Sequence, residues 1–321
     1  MLAAYATAPN PSDPLAALEV GDRPDPEAPA GWTTVTVRAA SINHHDVWTL
    51  RGVGLAEDRY PMILGCDASG VDAEGHDVVV HAVIPSPDWS GDETLDPRRT
   101  LLSEKHQGTL AERVIVPSRN VLPKPAELSH EQAACLSTAW LTAYRMLFMK
   151  SGVRPGATVL VQGASGGVAT ALIALGSAAG YQMWVTGRTE AKRQAALGLG
   201  ADAAFEPGAR LPKRVDAVME TVGEATWSHS LKSLAPGGTI VVCGATSGPN
   251  PPADLNRVFF LQLSVVGSTM GTRSELESLM AMLVTTGVRP VIDTAMPLDR
   301  AADGFAKIVA GDTAGKIVLS V

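Results

Sequence analysis

The spacing of apolar positions changes partway along the chain, and that change sets the first expectation about the fold. From Trp32 to Ala39 the residues alternate, with Thr33, Val35, Val37 and Ala39 on one face and Trp32, Thr34, Thr36 and Arg38 on the other, which is the period of a half-buried strand. Asp77–Val83 and Leu110–Val116 are further strand candidates. Between them Pro85–His106 is polar and punctuated by prolines, as a long surface loop is, and a shorter polar loop spans Arg51–Arg59. A helix is expected from Ser129, where Ser-His-Glu-Gln has the form of a capping box, to Phe148.

From Thr158 strand and helix patterns alternate almost to the end. Thr158–Gln162 is a short apolar strand, Gly163-Ala-Ser-Gly-Gly-Val-Ala169 a glycine-rich turn, Val168–Gly180 has helical density, and Gln182–Gly187 restores a strand. Asp216–Thr221, Thr239–Gly244 and Ser264–Thr269 read as buried strands, with Ala225–Leu234 helical between the first two. Thr272-Arg-Ser-Glu275 caps a helix to about Thr286, and Pro290–Met296, Leu298–Ala310 and Gly315–Val321 read β, α, β. A β-rich portion followed by βαβα repeats implies two domains of different class, the second with a parallel sheet.

The glycine-rich turn is the informative piece. Small residues between a strand and a helix let the backbone approach a pyrophosphate at the helix N-terminus, so Ser165, Gly166, Gly167 and Val168 are expected to hold a dinucleotide. In such folds an acid about twenty residues on accepts from the adenosine ribose. Here the second strand ends Val-Thr-Gly187-Arg188-Thr189 without an acid, and Arg188 and Lys192 offer positive charge to a 2′-phosphate, with Thr186 and Thr189 as added hydroxyl donors. The expected cofactor is therefore NADP(H). The alternative is that both cations are solvated charges at a helix start.

Composition narrows the class without changing it. The 321 residues, 45% hydrophobic and 18% charged, suit a soluble globular protein of two domains, and a net charge of −7 leaves no footprint for nucleic acid or an anionic membrane. Cys66, Cys135 and Cys243 are odd in number and far apart, which fits neither a disulfide scaffold nor a metal knuckle and suggests a reducing cytoplasm. The start of the chain lacks the basic and apolar pattern of a signal peptide. The uncharged run from Pro155 to Gly187 is long enough to suggest a membrane span, but its glutamines, glycines and change of period argue against one.

Several stretches resemble the medium-chain dehydrogenase/reductase superfamily, in its quinone oxidoreductase-like and zinc-type alcohol dehydrogenase-like branch. They are Ala39–Trp48, Pro61–Gly70, Leu141–Arg145, the Ala164–Ala169 turn, Val265–Arg273 and Gly315–Leu319. The resemblance implies a GroES-like β-rich catalytic domain from residues 1–125 and 271–321, a Rossmann doubly wound parallel-sheet domain from 126–270, and substrate in a cleft between them. It adds Gly187, Val222, Gly244 and Ser268 to the cofactor-binding set, and a homodimer formed through the nucleotide domain.

The departures from the family select the chemistry. Zinc-using relatives place a cysteine at Asn43, a His-Glu pair at Cys66-Asp67, and a cysteine or acid at Ala134, and Pro85–His106 has none of the cysteines of a structural-zinc lobe. Zinc wants about four ligands in tetrahedral array. His44, His45, Asp46, Cys66 and Asp67 offer two or three, and adjacent histidines point in different directions, so no metal is expected. Without a Lewis acid, reduction of a quinone or α,β-unsaturated carbonyl is favoured over oxidation of an unactivated alcohol, because hydrogen-bond donors suffice to stabilise the delocalised charge.

The candidate catalytic set is Asn43, His45, Asp46 and Thr138, with His45 as proton shuttle. The bland alternatives are that His45 packs a helix, Asp46 caps one, and Cys66 is a small buried hydrophobe. His81, His106, His130 and His229 have no evident partner in the sequence, and nothing there places the Tyr60 hydroxyl. The remaining functional alternatives are an alcohol dehydrogenase acting on a small alcohol or aldehyde, and a silent NADPH-binding protein.

Overall fold

The computed structural model describes residues 1–321, which form two compact units, one of 1–141 with 270–321 and one of 142–269. The first unit starts with β1 (Leu2–Ala6), β2 (Leu18–Asp22), β3 (Trp32–Ile42), α1 (His44–Leu50), β4 (Met62–Ile63), β5 (Asp67–Val71), β6 (Asp77–Val80), β7 (Val83–Ile84), β8 (Thr100–Leu101), β9 (Arg113–Pro117) and β10 (Val121–Pro123). The expected alternation in β3 holds: Val35, Val37 and Ala39 are buried, while Thr36 and Arg38 are exposed. Asp77–Val83 is two strands rather than one. The third expected strand starts later, at Arg113, because Leu110 leaves the sheet to exchange backbone bonds with Leu64 and Ala4.

The Ser129 capping box forms, but the helix after it is not uniform. Short α segments, α2 (His130–Ala133) and α3 (Leu141–Tyr144), alternate with π-helical turns at Leu136–Trp140 and Arg145–Lys150. This stretch also carries the chain out of the first unit. Leu141, with Ser137 donating to the Val80 carbonyl, belongs to that unit, so the division falls after the expected boundary at 125.

The second unit contains β11 (Thr158–Gln162), α4 (Gly167–Ala178), β12 (Gln182–Thr186), α5 (Glu190–Gly198), β13 (Ala203–Phe205), β14 (Val215–Glu220), α6 (Glu224–Ser233), β15 (Leu234–Val242), α7 (Leu255–Phe260) and β16 (Ser264–Gly267). Its strands form one parallel sheet in the order β13-β12-β11-β14-β15-β16. The order reverses at β11, the topology of a doubly wound sheet. The central strands are continuous apolar runs because helices cover both faces of such a sheet, and Thr158–Gln162 is buried throughout.

The chain then returns to the first unit with α8 (Arg273–Thr286), β17 (Ile292–Pro297), α9 (Ala301–Ala310) and β18 (Lys316–Ser320). β18 pairs antiparallel with β3 and parallel with β17, completing a sheet ordered β10-β6-β5-β3-β18-β17 with β9 also on β3. Ile317 and Leu319 join Val35, Val37, Ile42, Val47 and Phe305 in this unit's core. No helix is long and apolar enough to cross a membrane.

Candidate active site

In the second unit, the residues expected to bind a dinucleotide lie at the carboxyl ends of the parallel strands. Gly163 follows β11 with φ +97°, a conformation L side chains rarely adopt, and Gly166 caps α4 in extended conformation. Gly187 follows β12, where an added Cβ would lie 3.0 Å from Arg193 Cγ and 3.1 Å from Ala164 Cβ. At Gly244 an added Cβ would lie 2.9 Å from the Thr221 carbonyl oxygen. Close packing thus excludes a side chain at Gly187 and Gly244, whereas an added Cβ at Gly166 would meet nothing within 4 Å, so the backbone at the start of α4 is open, as a cradle for a pyrophosphate requires.

A buried polar network braces that edge from beneath. Glu220, ending β14, accepts from the N–H groups of Val222 and Gly223 at 2.9 and 3.0 Å and from the Thr226 and Ser230 hydroxyls at 2.8 and 2.6 Å. Gln162, ending β11, donates to Ser230 and contacts His229, accepts from Thr186, and through its carbonyl accepts from Thr221. Thr186 in turn accepts from the Gly163 N–H. The Ser268 hydroxyl is buried with no partner. Arg188 is exposed with no ion pair, whereas Arg193 donates to the Gly187 carbonyl and pairs with Glu190. Glu220, Gln162 and Arg193 were not expected from the sequence. A Glu ending an apolar strand just before Thr-Val-Gly was the available signal.

In the first unit, the expected catalytic residues divide. Asn43 caps α1 and is 7% exposed, and both ends of its amide are engaged. Nδ2 donates to Asp67 Oδ2 at 2.8 Å and to the Ser41 carbonyl at 3.4 Å, and Oδ1 accepts from Lys316 Nζ at 2.5 Å. The Asn43 N–H groups that were expected to face substrate thus serve this internal network in the structure. Asp46 is fully buried, its oxygens accept from the N–H groups of Asn43 and Gly65 at 2.8 Å each, and it serves as the helix cap. Thr138 lies in the π-helical turn, and its hydroxyl is buried without a partner.

His45, on α1, keeps chemical freedom. Its Nε2 lies 3.2 Å from Glu104 Oε1, and its Nδ1 lies 3.6 Å from Cys66 Sγ and 3.9 Å from Asp46 Oδ1. Burial disfavours the charged ring, but the neighbouring Cys66 sulfur and the Asp46 and Glu104 carboxylates outweigh it and hold the pKa well above 6.5. Cys66 is 1% exposed and donates to the Leu102 carbonyl, and burial raises its thiol pKa against the pull of His45. Glu104, in the polar loop, gave no signal in the sequence. Three other histidines are hydrogen-bonded, His81 to Gly271, His130 to Ser69 and His229 to Ala209, and the His106 ring packs against that of Trp32. The Tyr60 hydroxyl donates to the Thr49 carbonyl.

Two family models match the chain, an alcohol dehydrogenase GroES-like domain over residues 29–126 and a zinc-binding dehydrogenase over 167–285. A crotonyl-CoA reductase of Streptomyces avermitilis is 28% identical across 89% of this chain and 78% of its own. A crystal structure of a NAD-dependent alcohol dehydrogenase superposes with TM-score 0.92 at 33% identity, over the full length of both chains. The structure of the 2-octenoyl-CoA carboxylase reductase CinF, in complex with NADP and 2-octenoyl-CoA, has TM-score 0.91 at 25% identity, covering 99% of this chain and 87% of its own.

The second family name implies zinc, and the residues present do not fit it. Asn43 is committed to Lys316 and Asp67, and Ala134 has no ligand atom. The ligand atoms of His45, Asp46 and Cys66 lie within 4.8 Å of one another, but Cys66 is a hydrogen-bonded thiol where zinc requires thiolate, and the Asp46 oxygens are held by backbone N–H groups. The likeness to the alcohol dehydrogenase structure over the whole chain, with both family models in order, places the protein in the medium-chain dehydrogenase/reductase superfamily, as a GroES-like unit joined to a Rossmann-type parallel sheet.

Proposed function

We propose that this chain is an NADPH-dependent oxidoreductase that reduces an α,β-unsaturated carbonyl compound or a quinone without a metal. The observation that carries this reading is the state of the ligand positions, where an Asn43–Asp67–Lys316 network and Ala134 replace a zinc set while His45 remains ionisable beside them in sequence. NADPH, when bound at the strand ends of the second unit, supplies a hydride. As negative charge gathers on the substrate's carbonyl or quinone oxygen, His45 would supply the proton that completes the reduction. The unpartnered Thr138 hydroxyl is available to donate to that oxygen. The names of the crotonyl-CoA reductase relative and of the CinF complex with an enoyl-CoA and NADP support the reaction class and the cofactor.

The name of the 33% identical structure favours a second reading, NAD-dependent alcohol oxidation. Cofactor oxidation is followed with an enoyl-CoA thioester, a free enone, a quinone and an aldehyde, and cofactor reduction with a panel of alcohols, each with and without added zinc. Reduction of the unsaturated compounds without zinc is expected. Alcohol oxidation alone, or turnover only with zinc, overturns the proposal, and any turnover removes a silent binding role.

A homodimer through the second unit is part of the proposal. β16 is an unpaired edge strand bearing Val265, 50% exposed, and beside it Leu255, Phe259 and Phe260 are 67%, 60% and 76% exposed. An apolar sheet edge of this kind pairs readily with a second copy. The three cysteines are unpaired, which supports a reducing, cytoplasmic setting.

A further inference from the structure

We propose that Glu104 is a positioning residue, delivered by a left-handed turn at Ser103, that orients His45 for proton transfer. The proposal rests on the reductase reading above. Ser103 has φ +61°, in the region that favours glycine, although it is serine and fully buried. Backbone in such a conformation persists only where its surroundings fix it, and here they do. The Ser103 N–H donates to the His106 carbonyl at 2.9 Å, and Leu102 donates to Ala82 at 3.2 Å and accepts the Cys66 thiol at the same distance. The His106 ring lies 4.9 Å from that of Trp32. The turn is held on both sides, so the direction of residue 104 is set by the backbone.

That direction brings the Glu104 carboxylate to His45 from a different element than the other groups around the ring. Asp46 approaches from α1, Cys66 from the segment before β5, and Glu104 from the turn after β8. Nε2 meets Glu104 at 3.2 Å, whereas the Nδ1 contacts are longer, so Glu104 fixes the ring plane and leaves the Nδ1 proton the more loosely held. The side chains of Glu104 and His45 are 32% and 26% exposed, which gives the pair access to solvent. After His45 gives its Nδ1 proton to the α-carbon of the reduced substrate, the neutral ring keeps its Nε2 proton on Glu104 and Nδ1 takes the next proton from water, leaving hydroxide to the solvent.

The test compares wild type with Glu104→Gln and Glu104→Asp by two measurements. Histidine-selective NMR titration follows the His45 ring without substrate, and the pH profile of kcat/KM follows the reaction. Removing an opposite charge at this range lowers a histidine pKa by about one unit. In Glu104→Gln the His45 titration and the alkaline limb of kcat/KM are expected to move down together, with kcat/KM at pH values above both limbs falling about tenfold. KM is expected to hold, and Glu104→Asp is expected to restore part of the shift. An unmoved His45 titration in Glu104→Gln overturns the proposal, as does a moved titration with an unmoved rate profile. Failure of the reductase reading is separately visible, as a wild type that reduces none of the unsaturated substrates.

Discussion

Lys316 Nζ donates to Asn43 Oδ1 at 2.5 Å across a separation of 273 residues, so a cation from β18 is locked onto the cap of α1. The ammonium also reaches the Ile42 carbonyl at 3.0 Å and Asp67 Oδ2 at 3.2 Å, and its side chain is 3% exposed.

Lys316→Met leaves the Asp67 carboxylate in the core without its counter-charge, and Asp67 Oδ1 already has no partner. Breaking a buried pair by removing one member typically costs about 3–5 kcal/mol. Urea denaturation is expected to show a loss of that size, with the Lys316→Met, Asp67→Asn double variant recovering part of it. A loss under about 1 kcal/mol, the value of an exposed pair, contradicts the lock.

Acid should destabilise the protein through His81. Burial lowers its pKa to about 4, opposed by its bond to the Gly271 carbonyl. The folded value lies below the unfolded one of 6.5, so on acidification the unfolded chain takes the proton first. The contribution is intact above 6.5, drains away as pH falls from there towards 4, and is level below. Between about pH 7 and about pH 5 the loss is about 2 kcal/mol at 1.36 kcal/mol per unit. His81→Gln keeps a donor for Gly271 without the titration, so its stability should change less over the same interval.

Arg188 should set the cofactor preference. A charge-assisted contact to a 2′-phosphate is worth about 1.5–3 kcal/mol, so Arg188→Ala is expected to weaken NADPH binding roughly ten- to a hundredfold and leave NADH nearly unchanged. Calorimetric dissociation constants for both cofactors check it. Equal affinities in the wild type end the assignment.

The dimer prediction concerns the β16 edge. Phe260→Asp places a charge in an apolar patch, and loss of an interface anchor costs about 2 kcal/mol or more, roughly a thirtyfold weaker association. Sedimentation of the wild type as a dimer and of Phe260→Asp as a dissociating one is expected. A monomeric wild type refutes the interface.

What the sequence disclosed, and what it hid, follow from the range of the interactions. The β11 strand, its glycine turn and α4 were legible because apolar period and backbone freedom are local properties, and β18 was legible as a short apolar run after Gly315, its return to the first unit being implied by the family resemblance alone. Glu104 was hidden because its partner is 59 residues away and a polar loop has no period to mark one charge among many. The internal engagement of Asn43 was hidden for the same reason: its type suggests a free amide, but the Lys316 that engages it lies near the other end of the chain. The π-helical turns around Thr138 escaped notice because their apolar spacing differs little from that of an α-helix over so few residues.

The position of β18 between β3 and β17 also orders events during synthesis. Ile42 and Ile317 are sheet neighbours, yet the whole second unit is translated between them. At roughly 5–20 residues per second the ribosome needs tens of seconds to cover that distance. For that interval the β3 flank that β18 will cover has no strand on it, and Asp67 has no ammonium beside it. The inserted unit, whose strands are contiguous in sequence, has everything it needs to fold first. A nascent chain arrested before Lys316 is therefore the species in which chaperone binding should concentrate on the N-terminal sheet.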